Sequence, residues 1–329
     1  MSQIIGGMDL HTFDGAKALD PSSNLPLDVP FTAAVARAEG VPRHLLTRWC
    51  QQGLLRQPIR RVYVSSALPD SPLLRAQCLI LVTPDDCVIC DRHAGWLHGA
   101  EMVLAPGDHL GARPISMFRP SGNGRLENGI VISGERNLIP SDITEVLGLP
   151  VTTTLRTAWD LGRVRRREDA ISALDQMLRL VGFPLEVFLA GVERFRGMRW
   201  VTTLRVIAPL ADGRAESPPE SILRLYWIDV GLPWPQPQLE IWRNGVFVAR
   251  VDLANEDLGY VAEYYGEEWH TSDEQRDHDS TRVEAIERSD FVVDVFTKEN
   301  VFGQRRDAER RLVLGADRAR ALRKSRVYL

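Results

Sequence analysis

The sequence predicts an α+β protein with a small helical module near its start, a mixed middle segment and a C-terminal α/β core. Three patterns carry this expectation. Two short amphipathic helices run into a β-ribbon between positions 31 and 65. Residues 71–205 mix short apolar runs with one clear amphipathic helix at 169–180. From 216 onward a helix, three strands with a hairpin turn, a second helix and a fourth strand follow in order. A chain of 329 residues has room for two or three domains. The expected divisions are an arm at 1–30, the helix–ribbon module at 31–70, a middle domain at 71–210 and a C-terminal domain at 211–329, with the polar stretch 211–215 as the main break.

The elements follow from local chemistry. Residues 1–28 are rich in Gly, Asp, Pro and Ser and read as a loosely ordered arm. The helix at 31–39 is stopped by Gly40, and Pro42 suits the first turn of the next helix. That helix, 44–52, carries Leu45, Leu46 and Trp49 as its apolar stripe and ends at Gly53. The run 54–64 reads as a ribbon. Helix, turn, helix, ribbon is the order of a winged helix-turn-helix, whose second helix enters the DNA major groove. Its exposed positions, Arg43, His44, Arg48, Arg60 and Arg61, fit DNA contact; the same pattern also fits a helical hairpin that binds protein. The middle segment reads as a helix at 73–78, a buried strand at 86–90, a helix around 94–99, short strands within 114–134 and a strand-to-helix run at 151–162. In the C-terminal segment Asn244-Gly245 is the favoured hairpin turn, joining strands at 238–242 and 246–253. A third strand at 260–264, a helix at 275–287, a fourth strand at 291–296 and a closing helix at 305–314 complete the core.

The formal net charge is −4, a poor balance for non-specific nucleic-acid binding by the whole chain, but the charges are segregated. Residues 31–65 carry six arginines against Glu39 alone, the tail from Gly303 is basic, and 210–302 is acidic. Basic ends around an acidic centre fit two phosphate-contacting surfaces flanking a metal site; for the tail, a solvated helix face serves as well. Lysine occurs only at positions 17, 298 and 324, so nearly every cation is a guanidinium suited to bidentate phosphate contact. The first residues lack the pattern of a signal peptide, and no apolar run reaches the roughly 18 residues of a membrane span. Four cysteines are too few for a disulfide framework in a chain of this size, and a cytoplasmic location is expected. Cys87 and Cys90, near His93 and His98, read as buried thiols, because Val88 and Ile89 between them suit a strand better than a zinc knuckle.

The richest chemistry lies in two runs, 250–254 and 261–266, each with apolar residues around one carboxylate, Asp252 and Glu263. On neighbouring strands of a hairpin these two would stand side by side. Paired carboxylates repel unless a divalent cation lies between them, which is the chemistry of a magnesium-dependent phosphodiesterase. The loop acids 267, 268, 273 and 274 read as solvated. Asp277 and Arg282 fall on the next helix, either as a surface pair, or braced against the metal-side carboxylates or contacting DNA. Trp269 suits packing better than base stacking.

These residues carry two resemblances that together cover nearly the whole chain. Glu216-Ser217-Pro218-Pro219-Glu220-Ser221, the runs around Asp252 and Glu263, and the segment 277–282 resemble the DUF559 group, related to the very-short-patch repair endonucleases of the PD-(D/E)XK superfamily. The module at 31–65 and the segment 152–161 resemble AbiEi-type antitoxins of type IV toxin–antitoxin systems. The resemblance implies a restriction-endonuclease-type core in which Asp252 and Glu263 bind Mg²⁺ or Mn²⁺. It implies that Glu220 reaches the site from the first helix and that His270 accepts a proton from the attacking water. The chain departs from the superfamily at Tyr265, where a lysine is expected and where DUF559-like chains often carry aspartate; a tyrosine supplies no fixed positive charge. Two functions follow. One is a DNA-binding protein that hydrolyses phosphodiester bonds with Mg²⁺. The other is an antitoxin-like transcriptional regulator with an inactive nuclease fold, binding DNA and a toxin or other protein partner. Close approach of Asp252 and Glu263 favours the first; a carboxylate turned into a salt bridge with an arginine favours the second.

Overall fold

The computed structural model describes residues 11–13, 16–19, 24–100, 103, 115–124, 126, 131–266, 281–304 and 306–327. The protein is mixed α/β, and its contacts divide it into two compact units, 1–160 and 161–329. The division falls earlier than the polar stretch at 211–215.

In the first unit the arm contributes a short antiparallel pair, β1 (His11–Phe13) and β2 (Ala16–Ala18). Then β3 (Phe31–Thr32) runs into α1 (Ala33–Ala38), where the Thr32 hydroxyl caps the Val35 N–H. Gly40, with φ of 80°, reverses the chain into α2 (Arg43–Gln51). The ribbon β4 (Leu55–Ile59) and β5 (Val62–Ser65) completes a three-stranded sheet in the order β3-β5-β4. Leu46 and Trp49 of α2 pack with Phe31, Leu54, Leu55 and Tyr63 beneath it.

A second core forms around α3 (Pro72–Ile80), β6 (Val88–Ile89), α4 (Asp91–Leu97), β7 (Ile115–Pro120), β8 (Val131–Ile132), β9 (Glu135–Arg136), β10 (Ile143–Val146), β11 (Leu149–Thr152) and α5 (Thr154–Gly162). The sheet order is β10-β11-β6-β7-β8, with β9 also on β7. The segment 152–161 is largely buried beside this core. Arg156 is 1% exposed and meets Asp142 at 2.6 Å, Asp160 at 2.9 Å and the Asn137 carbonyl at 2.9 Å. Arg136 joins Asp160 to Asp91. These polar side chains satisfy one another in the interior, as buried charges must. Cys87 and Cys90 are buried here; His93 Nδ1 accepts the Ser116 N–H, and His98 Nε2 lies 2.7 Å from the Thr152 carbonyl oxygen.

The second unit starts with α6 (Arg167–Arg179), α7 (Leu185–Gly191) and α8 (Val201–Ile207). It continues through α9 (Pro218–Asp229), β12 (Gln236–Arg243), β13 (Val246–Asn255), β14 (Tyr260–Tyr265), α10 (281–287), β15 (Val292–Thr297), α11 (Lys298–Phe302) and α12 (Ala308–Val327). The four strands form one sheet in chain order, antiparallel except for the parallel β14–β15 pair. Asn244 and Gly245 have φ of 52° and 76°, the left-handed pair that a tight hairpin with twisted arms requires. The helices before 211 belong to this unit because Asp175 of α6 and Arg224 of α9 form a buried ion pair at 2.6 and 2.8 Å. The Asp212 N–H and the Leu210 carbonyl complete it, so the polar stretch is folded around the pair.

Removing one member of that pair strands a buried charge. Asp175→Ala is expected to lower unfolding free energy by about 3–5 kcal/mol in urea denaturation, and a double change to leucine at 175 and 224 to recover most of the loss.

Candidate functional site

Three carboxylates predicted to act together are brought to one place from three elements. Strands β13 and β14 pair at Leu253–Ala262, Ala254–Val261 and Asn255–Tyr260, so the next step of the register sets Asp252 opposite Glu263. There the Tyr264 N–H donates to Asp252 Oδ2 at 2.8 Å. Glu220 arrives from the first turn of α9, where Ser217 is the cap. The Glu220 N–H donates to Ser217 Oγ, and the Ser217 hydroxyl donates to Glu220 Oε1 at 2.7 Å. The Glu216 N–H and the Gln238 carboxamide hold Glu220 Oε2 at 2.8 and 3.0 Å.

Electrostatics ties the three together. Burial pushes the Asp252 carboxyl up to about 6, with Glu263 adding to it, against the Tyr264 N–H, Arg282 and Gln238. Burial, then Asp252, raises Glu220 above the usual carboxylate range. Glu263 is 2% exposed and takes a two-pronged ion pair from Arg282 of α10, with both contacts at 3.1 Å. Arg282 also donates to the Arg250 carbonyl at 2.8 Å. Burial works against the Arg282 charge, but Glu263 and Tyr265 outweigh it and raise its affinity for its proton. A cation therefore does stand at Tyr265, delivered by α10 rather than by the strand.

Gln238 had no sequence signal: it is one polar residue in an alternating strand. Of the other predicted residues, His270, Trp269 and Asp277 lie outside the described residues. Arg43, His44 and Arg48 are exposed on α2, and Arg60 and Arg61 are exposed at the β4–β5 turn, where Arg61 has φ of 75°. The basic tail is largely engaged within its own unit: Arg311 donates to the Val295 carbonyl, and Arg318 pairs with Asp294 at 2.6 Å. Among the described residues no three His, Cys, Asp or Glu side chains gather closely enough to share an ion. Asp252 and Glu263 still suit Mg²⁺, which commonly takes one or two carboxylates and keeps several waters. No helix among the described residues is long and apolar enough to cross a membrane.

The raised Asp252 pKa makes the site a cost to the fold. Between its unfolded value near 3.8 and about 6, the native state holds a proton that the unfolded chain has released. Stability from this group is complete below about pH 4 and lost as pH rises through 6. Asp252→Asn should therefore stabilise the protein by about 1–3 kcal/mol at pH 7.5 and by almost nothing near pH 4, read by denaturant melts at both pH values.

No protein-family model matches the chain. Two proteins of Mycobacterium tuberculosis are similar to it: uncharacterized protein MT2308 of strain CDC 1551 / Oshkosh and uncharacterized protein Rv2248 of strain ATCC 25618 / H37Rv. Each is 31% identical over 233 residues, which is 71% of this chain and 85% of the relative. The chain belongs to the family of these two mycobacterial proteins.

Proposed function

We propose that the protein binds DNA through its N-terminal module, a winged helix-turn-helix, and hydrolyses phosphodiester bonds in a C-terminal PD-(D/E)XK-type site that takes Mg²⁺ or Mn²⁺. One observation carries the reading. Among the described residues Glu220, Asp252 and Glu263 converge, Arg282 pairs with Glu263, and burial followed by the neighbouring Glu263 raises the proton affinity of Asp252. A divalent cation answers such a gathering of carboxylates. The order of helix α9, three antiparallel strands, helix α10 and a parallel strand also fits the resemblance of this segment to the superfamily.

Asp252 and Glu263, with the Tyr264 carbonyl, would hold the ion. When bound, a divalent metal lowers the pKa of its water and screens charge on the phosphate. Glu220 braces the site from α9. Arg282 supplies the fixed positive charge that Tyr265 cannot, next to the scissile group. His270 keeps the proton-accepting role that the resemblance assigns to it. Arg43, His44 and Arg48 face the major groove, and Arg60 and Arg61 face the backbone.

A second reading, the antitoxin-like regulator with an inactive nuclease fold, is favoured by the ion pair that turns Glu263 toward Arg282. Plasmid nicking separates the two. With Mg²⁺ or Mn²⁺ the wild type should nick supercoiled DNA, and Asp252→Ala should lose at least 100-fold, roughly the 2.7 kcal/mol scale of one lost charge-stabilising group. Activity that survives the substitution would sink the site assignment. DNA binding without cleavage under either metal would favour the regulator. In the DNA-binding assay, Arg48→Ala should weaken binding across all sequences and lower the slope of log affinity against log salt by about 1 if Arg48 meets a phosphate; a change confined to particular sequences would make it a base contact.

A further inference from the structure

Gln238 sits in the middle of β12 with φ of 54°, a left-handed backbone that a side chain rarely adopts within a strand. Its neighbours keep their places in the ladder, Pro237 opposite Leu253 and Leu239 opposite Val251, so the strand is distorted at the one position that faces Asp252. The Gln238 carboxamide donates to Glu220 Oε2 at 3.0 Å, and from its position opposite Asp252 it lowers the proton affinity of that carboxyl. An amide nitrogen carries two hydrogens, enough to serve two carboxylates at once. Strained backbone of this kind persists where its surroundings demand it, and it clusters at functional sites.

We infer that Gln238 is a positioning residue of the acidic site, its carboxamide bridging Glu220 and Asp252 and fixing where both carboxylates stand. The inference rests on the reading of this site as a divalent-cation site. Its chemistry is specific. A lysine or arginine at 238 would join the same two acids but cancel their charge and compete with an incoming cation. A carboxamide joins them and leaves the charge in place. It also spans two elements, because Glu220 belongs to α9 and Asp252 to β13. The distortion at 238 aims the side chain between them.

The test is Mn²⁺ binding by the full-length protein, measured by calorimetry and by the electron paramagnetic resonance signal of free Mn²⁺. Two substitutions remove the bridge in different ways. Gln238→Met keeps the length of the side chain but has no donor. Gln238→Gly removes the side chain and accepts the left-handed backbone freely, so it keeps the fold even where the methionine does not. Both are expected to bind Mn²⁺ about 10–100-fold more weakly than the wild type, the range found when a partner that orients a metal ligand is lost. Circular dichroism should show an unchanged fold for the glycine variant, which separates positioning from support of the structure. Wild-type Mn²⁺ affinity in both variants, alongside loss of binding in Asp252→Asn, overturns the role of Gln238 and leaves the site standing. Failure of the wild type itself to bind Mn²⁺ overturns the site and the inference together.

Discussion

Glu263 lies 2% exposed between Asp252 and Arg282, and much of the C-terminal unit is arranged around keeping its charge tolerable. A buried carboxylate needs a cation or a set of donors. Arg282 provides the cation, and it can do so only because α10 returns across the sheet after β14. The guanidinium also reaches the Arg250 carbonyl, which anchors it to β13. Among the described residues no cation pairs directly with Asp252; the neutral Tyr264 N–H donates to it, and Arg282 and Gln238 act on it more weakly. The same strand pairing that brings the two acids together therefore leaves one of them under-compensated. That residual charge is what a divalent ion would exploit.

The other buried ions of the protein behave differently, and the contrast separates support from chemistry. Around Arg156 every carboxylate meets a guanidinium directly: Asp142 and Asp160 meet Arg156, and Asp91 meets Arg136. Asp175 and Arg224 form a closed pair, finished by backbone groups. In these networks the charges are spent on one another, and they fasten helices to sheets or to other helices. Among the described residues of the acidic site the ratio is reversed, with Glu220, Asp252 and Glu263 set against Arg282. Burial is common to all three places; the balance of charge is what distinguishes one of them.

Much of the fold was legible because it rests on local chemistry. The caps and glycines around α1 and α2, the Asn244-Gly245 turn and the apolar stripe of α6 each announce themselves within a few residues. The sequence predicts a closing helix over 305–314, whereas α12 runs on through Gly315, which looks like a stop in sequence but is needed where the helix closes on Tyr260 and Asp294. Polar composition at 211–215 signals a linker, whereas the buried pair of Asp175 and Arg224, which ties 161–210 to the rest of the second unit, depends on residues 49 apart. The site shows the same division. Asp252 and Glu263 were legible from strand periodicity and Glu220 from the resemblance, but Gln238 needs a backbone distortion that no residue pattern encodes.

Tyr265 gains its meaning from that long-range geometry. Read along the strand, it marks a missing cation, since a phenol cannot stabilise developing charge on a phosphate as a lysine does. Read in three dimensions, Arg282 interacts with both Tyr265 and Glu263, so the charge has moved from the strand to the facing helix. The move alters the chemistry. A lysine on the strand is a flexible point charge, whereas a guanidinium clamped in two directions by a carboxylate is fixed and directional. On the proposed reading it would serve a phosphate with the face turned away from Glu263. On that reading, catalysis would require Glu263 to share its charge between Arg282 and a cation, and the strength of the Glu263–Arg282 pair would set how readily that sharing occurs. The same ion pair that makes the site resemble a closed scaffold would then be the element that tunes the proposed activity.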